Sequence, residues 1–271
     1  MDLPELRESE ASGEKARVYA EIRHLGGVPM VALIFRHLAT LPGALEWMWA
    51  ALGPSWRSGE LQEAAWRIAR AAPLVPIAPM PRPALRVLGV DDAALAQIDD
   101  VLVAYNRANP VNMLSVLCMS RMAGGGAEGR RAEGAEGAIQ WAPPVAPGPL
   151  VPMGNVNALP AEISDLLDLV AAPGEPGSPR VVQSLYRHFI HRPAFLAFAV
   201  TLLRQRFDDG SIDAAVTHVH AAMAEAADRI VSGTKAPKAP HPDIAPVCSR
   251  FGGAVIPQMI VVGRLLEEAL S

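Results

Sequence analysis

The stretch F-R-H-L-A-T-L-P-G-A-L at residues 35–45 is met again as Y-R-H-F-I-H-R-P-A-F-L at residues 186–196. Arg36, His37, Pro42 and Leu45 fall on Arg187, His188, Pro193 and Leu196, an offset of 151 positions, and the register holds without a gap to Gly59 and Gly210. Inside it Trp47 meets Phe198, Leu52 meets Leu203, Trp56 meets Phe207, Leu61 meets Ile212 and Ala64 meets Ala215. Two copies of one unit keep apolar character where identity has drifted, because each has the same core to fill. Matches between alanines in Ala-rich helices carry no weight; the ungapped R-H…P…L…G frame does. The chain therefore reads as an all-α fold of two tandem helical repeats forming a pseudo-dimer. Repeat 1 takes residues 1–122, a flexible Gly/Ala/Pro linker 123–150, and repeat 2 residues 151–271.

Working outward, residues 30–41 place Val31, Ile34, Phe35, Leu38 and Leu41 at helical spacing on one face. Pro42-Gly43 breaks that helix, and another follows over 45–52. Ser58-Gly59 and Asp209-Gly210 make equivalent turns whose side-chain oxygens can cap the next helix. After a Pro-punctuated loop, Asp91 is a predicted N-cap for a helix carrying Leu95, Ile98, Val101, Leu102 and Tyr105 on one face. Asn109-Pro110 is expected to interrupt it, with a separate apolar helix over 113–122. The second copy has its own Pro-rich loop (Pro237, Pro240, Pro242, Pro246) and Pro257 near the middle of its last helical region. Residues 123–149 are dominated by Gly, Ala and Pro, which predicts little regular structure, few buried contacts and early proteolysis at Arg130-Arg131.

Composition narrows the function classes. With 51% apolar and 19% charged residues the chain is globular, and an aromatic content of 5% favours packed helices over sheets. A net charge of −4 and no basic stripe argue against nucleic acid as a partner. The acidic start lacks the apolar core of a secretory signal, and the apolar stretches 195–203 and 254–262 are too short to span a membrane. A cytoplasmic address with no membrane partner is expected, and a homodimer is left open. Cys118 and Cys248 read as buried small hydrophobes, and without a C-x-x-C they support no disulfide chemistry.

No metal or cofactor is expected. His188-x-x-His191 with His218-Val219-His220 lacks the acidic partners and convergence a zinc site needs, so these read as surface or helix-terminal histidines. Glu21-x-x-His24 has the spacing of a di-iron ligand pair but stands alone. Nucleophile-elbow and phosphate-loop patterns are absent. One segment invites a functional reading: Tyr105-Asn106-Arg107-Ala108-Asn109-Pro110 sets two amides beside a Pro in apolar surroundings. An amide there can hold a water or a carboxylate; equally, Asn109 can satisfy backbone groups that Pro110 frees.

Four runs add a resemblance. G-E-K-A-R-V-Y-A-E-I-R at 13–23, Val28-Pro29, R-x-L-A-T-x-P-G at 36–43 and V-L-x-A-Y-N-x-x-N-P at 101–110 resemble the group I 2-haloacid dehalogenases. The resemblance implies an all-α pseudo-dimer with its active site between the repeats. In that family a water held by an aspartate and an asparagine attacks C2 of a 2-haloalkanoate, and halide leaves with inversion and without a covalent intermediate. Asn109 corresponds to the water-holding asparagine. Met30 and Leu33 fall on pocket positions where the family carries aromatics, and Asn112 and Phe251 on or near positions of tyrosines. The aspartate belongs in the stretch matching 179–187, which here is P-R-V-V-Q-S-L-Y-R, with no acid between Glu175 and Asp208. Gln183 and Ser184 stand there; they can orient a water but cannot take its proton near neutral pH, and a missing general base costs about 10²–10⁴-fold in rate. The implied protein is dehalogenase-like, with a pocket for a small anionic organic molecule and weak, altered or absent hydrolysis. The alternative is a non-enzymatic small-carboxylate-binding or scaffold protein on the same fold.

Overall fold

A computed structural model describes residues 3–125, 127–128, 141–172, 180–253 and 255–271. It is all-α. The first half contributes α1 (Gly13–Gly26), α2 (Leu33–Leu38), α3 (Ala44–Arg57), α4 (Glu60–Arg70), α5 (Arg82–Val87) and α6 (Asp92–Gly125). The second contributes α7 (Ala161–Asp168), α8 (Ser184–Phe189), α9 (Pro193–Asp208), α10 (Ser211–Ser232), α11 (Ile244–Gly252) and α12 (Val255–Leu270). Among the described residues the extended pairing is a two-residue antiparallel ladder, Ala127 opposite Ala236 and Glu128 opposite Lys235, and one isolated bridge, Ala172 to Val181.

α6 is the axis of the molecule: α4, α10, α11 and α12 all pack against it, and buried side chains of both halves form one continuous core. This corrects the expected break at Asn109-Pro110, because α6 runs unbroken for 34 residues with Pro110 inside it. A proline there removes one backbone hydrogen bond and costs roughly 3 kcal/mol. Burial of Val111, Met113, Leu114, Val116 and Leu117 just beyond it supplies more than that, at about 1.5–3 kcal/mol for each fully buried large side chain. Two other boundaries differ. α2 is confined to six residues, and α3 runs on past Leu52 through Pro54 to Arg57. The last helical region is two helices, which puts Pro257 in the first turn of α12, where its missing N–H has no helical partner to lose. The stretch Ile244–Leu270 is long and apolar enough by composition to cross a membrane, yet more than half of it is buried within the fold.

Several features coincide at the 151 offset. α2 and α8 share both boundaries, α3 and α9 end at Arg57 and Asp208, and α4 and α10 start at Glu60 and Ser211. Gly59 and Gly210 both take left-handed φ, 80° and 76°. The paired carbonyls of Arg36 and Arg187 each accept from an upstream N–H, from Leu6 at 3.0 Å and from Gly154 at 2.8 Å, although these two donors are not at the 151 offset. Turn capping is as expected: Asp91 Oδ1 accepts from the Ala94 N–H at 2.7 Å and Asp209 Oδ1 from the Ser211 N–H at 2.9 Å.

One paired position differs instructively. Phe35 and Tyr186 are both fully buried, but the Tyr186 hydroxyl has no partner among the described residues, and burial pushes its pKa far up. An unsatisfied buried hydroxyl costs about 1–3 kcal/mol. Tyr186→Phe should therefore leave stability unchanged or raise it, by up to about 1 kcal/mol, in urea unfolding. A loss above 1 kcal/mol would show that the hydroxyl is satisfied.

α6 extends to Gly125, three residues into the Gly/Ala/Pro stretch, and Arg130-Arg131 lies outside the described residues. The other end departs from the expected lack of contacts. The Trp141 ring lies 5.7 Å from that of Trp66 and covers Gly59, Pro144 closes on Gly27, and the Val145 carbonyl accepts from Arg107 Nη1 at 2.7 Å. Residues 141–149 thus strap the first half before the chain enters the second.

Candidate functional site

Tyr105, Asn109 and Asn112 recur at i, i+4 and i+7, so they line one face of α6, and all three are buried. α8 packs against α6. The Tyr105 hydroxyl lies 3.1 Å from His188 Nε2, with the Ser184 hydroxyl beside it. His188 Nδ1 is 2.5 Å from the Val151 carbonyl oxygen. A carbonyl only accepts, so Nδ1 carries the proton and Nε2 accepts from the tyrosine O–H. Burial lowers the His188 pKa and raises that of Tyr105 well above the usual phenol range, so both groups are neutral at pH 7.

Gln183, the residue capping α8, is also buried. Its Nε2 donates to Gln258 Oε1 of α12 at 2.7 Å, and Gln258 Nε2 reaches the Val170 carbonyl at 3.4 Å. Three polar atoms of this region have no partner among the described residues: Asn109 Nδ2, Gln183 Oε1 and Ser115 Oγ. Asn109 is only 4% exposed, so its open donor sits where desolvation makes a missing hydrogen bond expensive. This disfavours the reading in which Asn109 serves the backbone beside Pro110.

No Asp or Glu is among the buried polar residues described. Asp208 is exposed and bonded to Arg204 at 3.0 Å, and Asp243 is exposed beside His241. Leu33 opens α2 as Ser184 opens α8, each behind a residue of matching extended backbone, Ala32 and Gln183. Met30 and Leu33 are partly buried; Phe251, in α11, is partly buried against the core. No hydrogen bond joins Met30, Leu33 or Phe251 to the polar face among the described residues. Direct contacts instead unite Tyr105 with Ser184 and His188, and Gln183 with Gln258.

Of the two expected placements, surface or helix-terminal, His188 takes the second: it lies in the last turn of α8 and is only 9% exposed. The available signal was its duplication: His37 is buried too, with Nδ1 2.7 Å from the Pro4 carbonyl. Gln258 carried no such signal. Cys118 and Cys248 are buried as expected, and burial pushes both thiols up to about 12, leaving them protonated and unreactive at neutral pH.

The lowered His188 pKa has a pH consequence. The unfolded imidazole, with a pKa of about 6.5, binds protons at a pH where the folded one does not. Stability from this group is complete above about pH 6.5 and is lost as pH falls below it. His188→Asn should flatten the drop in Tm between pH 7 and pH 5 relative to the unaltered chain. Parallel Tm curves for the two proteins would contradict it.

No family model matches the chain. A curated configuration-inverting 2-haloacid dehalogenase from Alcaligenes xylosoxydans xylosoxydans is 30% identical over 177 residues, 62% of this chain, and the match spans 58% of that relative's length. Among solved structures, a D-2-haloacid dehalogenase mutant in complex with D-2-CPA superposes with a TM-score of 0.73 at 18% identity, covering 99% of this chain and 96% of that one. A D-2-haloacid dehalogenase with L-LA gives 0.71 at 18% identity, covering 99% and 97%. The chain is similar in sequence to an inverting 2-haloacid dehalogenase and has the all-α fold of D-2-haloacid dehalogenases, in keeping with its resemblance to group I.

Proposed function

We propose that the buried face where α6 meets α8 and α12 binds a small 2-substituted carboxylate between two repeats related by a pseudo-two-fold, and that hydrolysis of 2-haloacids there is weak or absent. The coincident helix boundaries at the 151 offset support the duplication. The observation that carries the function is the buried, unpartnered Asn109 amide on a face whose buried polar groups include no carboxylate. Direct displacement at C2 needs water to attack as its proton passes to a base, while the carbon–halogen bond breaks and halide leaves with inversion. Asn109 and Ser184 can hold that water by hydrogen bonds. Neither an amide nor a hydroxyl accepts its proton at neutral pH, and the lone pair of His188 is engaged by Tyr105. A bound 2-haloacid is then held without being turned over.

Ligand-induced stabilisation tests this. Saturating 2-chloropropionate should raise the Tm, and Asn109→Ala should abolish the shift. Because the Asn109 donor has no partner among the described residues, that substitution should leave the ligand-free Tm close to the unaltered value. A large loss of Tm without ligand would assign Asn109 a structural role and defeat the reading.

A further inference from the structure

On the other side of α6 lies a cleft of about 330 Å³, lined by Trp66, Arg70, Asn106, Arg107, Arg264 and Glu267 among others. At 100° per residue, Arg107 projects roughly opposite to the face shared by Tyr105, Asn109 and Asn112, with Asn106 at about a right angle to it, so the two sites are distinct. We propose that this cleft binds a planar organic carboxylate, taken bidentately by Arg107 and stacked against Trp66.

The cleft lining carries three arginines, Arg70, Arg107 and Arg264, against one carboxylate, Glu267. Glu267 is matched by Arg264 at 2.6 Å, and Arg264 also reaches Glu268 at 2.9 Å. Arg70 and Arg107 have no carboxylate partner among the described residues, which leaves two guanidinium groups on one cleft. Arg107 is held by a single nitrogen: Nη1 donates to the Gly27 carbonyl at 2.9 Å and the Val145 carbonyl at 2.7 Å, which uses both of its protons. The Nε and Nη2 donors of the other edge have no partner among the described residues. That edge is the fork a carboxylate accepts with two parallel hydrogen bonds. Partial burial lowers the Arg107 pKa, a cost that a bound anion would offset.

The walls favour a flat ligand. Trp66 Nε1 donates to the Arg107 backbone carbonyl at 3.0 Å, which ties the indole to the same wall of the cleft, and Trp141 packs on it at 5.7 Å. Val103, Ala69 and Pro144 complete an apolar surround. The lining is mixed, with arginine and amide groups beside the indole, and its volume is at the lower end of the range for small-molecule sites.

Calorimetric titration of the full chain tests the proposal with benzoate as probe, and benzamide, cyclohexanecarboxylate and inorganic phosphate as comparisons. Benzoate should bind with a dissociation constant below 1 mM (on the order of a few good polar contacts). Each of the other three should bind at least about tenfold more weakly, benzamide for want of charge, cyclohexanecarboxylate for want of a stacking face and phosphate for want of both planarity and ring. Arg107→Lys should weaken benzoate about tenfold by removing the fork while keeping the charge. Because Arg107 also tethers the strap, Arg70→Met provides an independent check at a residue with no described partner, and should weaken benzoate several-fold. Asn109→Ala should leave Arg70-dependent binding unchanged. The proposal is overturned if benzoate fails to bind at millimolar concentration, if phosphate binds as tightly, or if affinity follows Asn109 and ignores Arg70.

Discussion

Gly59→Ala should destabilise the protein by about 2–4 kcal/mol, and Gly210→Ala, at the position offset by 151, by only about 1–2 kcal/mol. Both glycines hold left-handed φ, where an added Cβ is strained whatever its surroundings. Around Gly210 nothing lies within 4 Å of that Cβ, so strain is the whole cost. At Gly59 the Cβ would stand 2.5 Å from Trp141 Cδ2 and 2.7 Å from its Cγ. The indole would have to leave, taking with it the ring packing on Trp66 and the anchor of the strap. Urea unfolding of the two variants measures the difference directly. Equal losses would mean that Trp141 contributes nothing to the folded state.

The second large effect is a gain. Ser184→Asp should raise halide release from 2-chloropropionate by about 10²-fold or more, the rate a general base commonly supplies. Ser184 opens α8 beside the Tyr105 hydroxyl, four residues before His188, on the helix that faces Asn109's side of α6. A carboxylate there can accept a proton from a water held by Asn109, which the serine cannot. The substitution also suits the first turn of a helix, where a negative charge is favourable, so the fold should tolerate it. Ser184→Asn is the matched control: the same size without the base, it should leave the rate at background. Equal rates for the two variants would mean that position 184 does not address the water.

Much of the fold was legible because its punctuation is local. Gly59 and Gly210 mark turns that require left-handed backbone, and Asp91 and Asp209 carry the capping oxygens, so helix boundaries followed from neighbouring residues. The R-H frame that recurs 151 positions later was readable for the same reason. What misled was decided at long range. Pro110 reads as a break in any local window, yet α6 passes through it because α10, α11 and α12 pack against it and the side chains just beyond Pro110 are buried. The strap owes its order to Trp141 meeting Gly59 and Trp66, contacts that Gly- and Pro-rich composition does not announce. At the candidate site, Asn109 stood out by its chemistry, whereas His188 looked like any histidine on a short helix. Its burial follows from Val151 and Tyr105, residues remote in sequence. Gln258 was invisible until Gln183 was seen to bond it.

The central claim is that Asn109, the residue proposed to hold the attacking water on this fold, faces no base. Halide release from both enantiomers of 2-chloropropionate by the unaltered chain, followed against a no-protein blank and against Ser184→Asp, tests it most directly. The account predicts release near the blank for the unaltered chain and well above it for the variant. Brisk release by the unaltered chain, for either enantiomer, would contradict it and would mean that another group takes the proton.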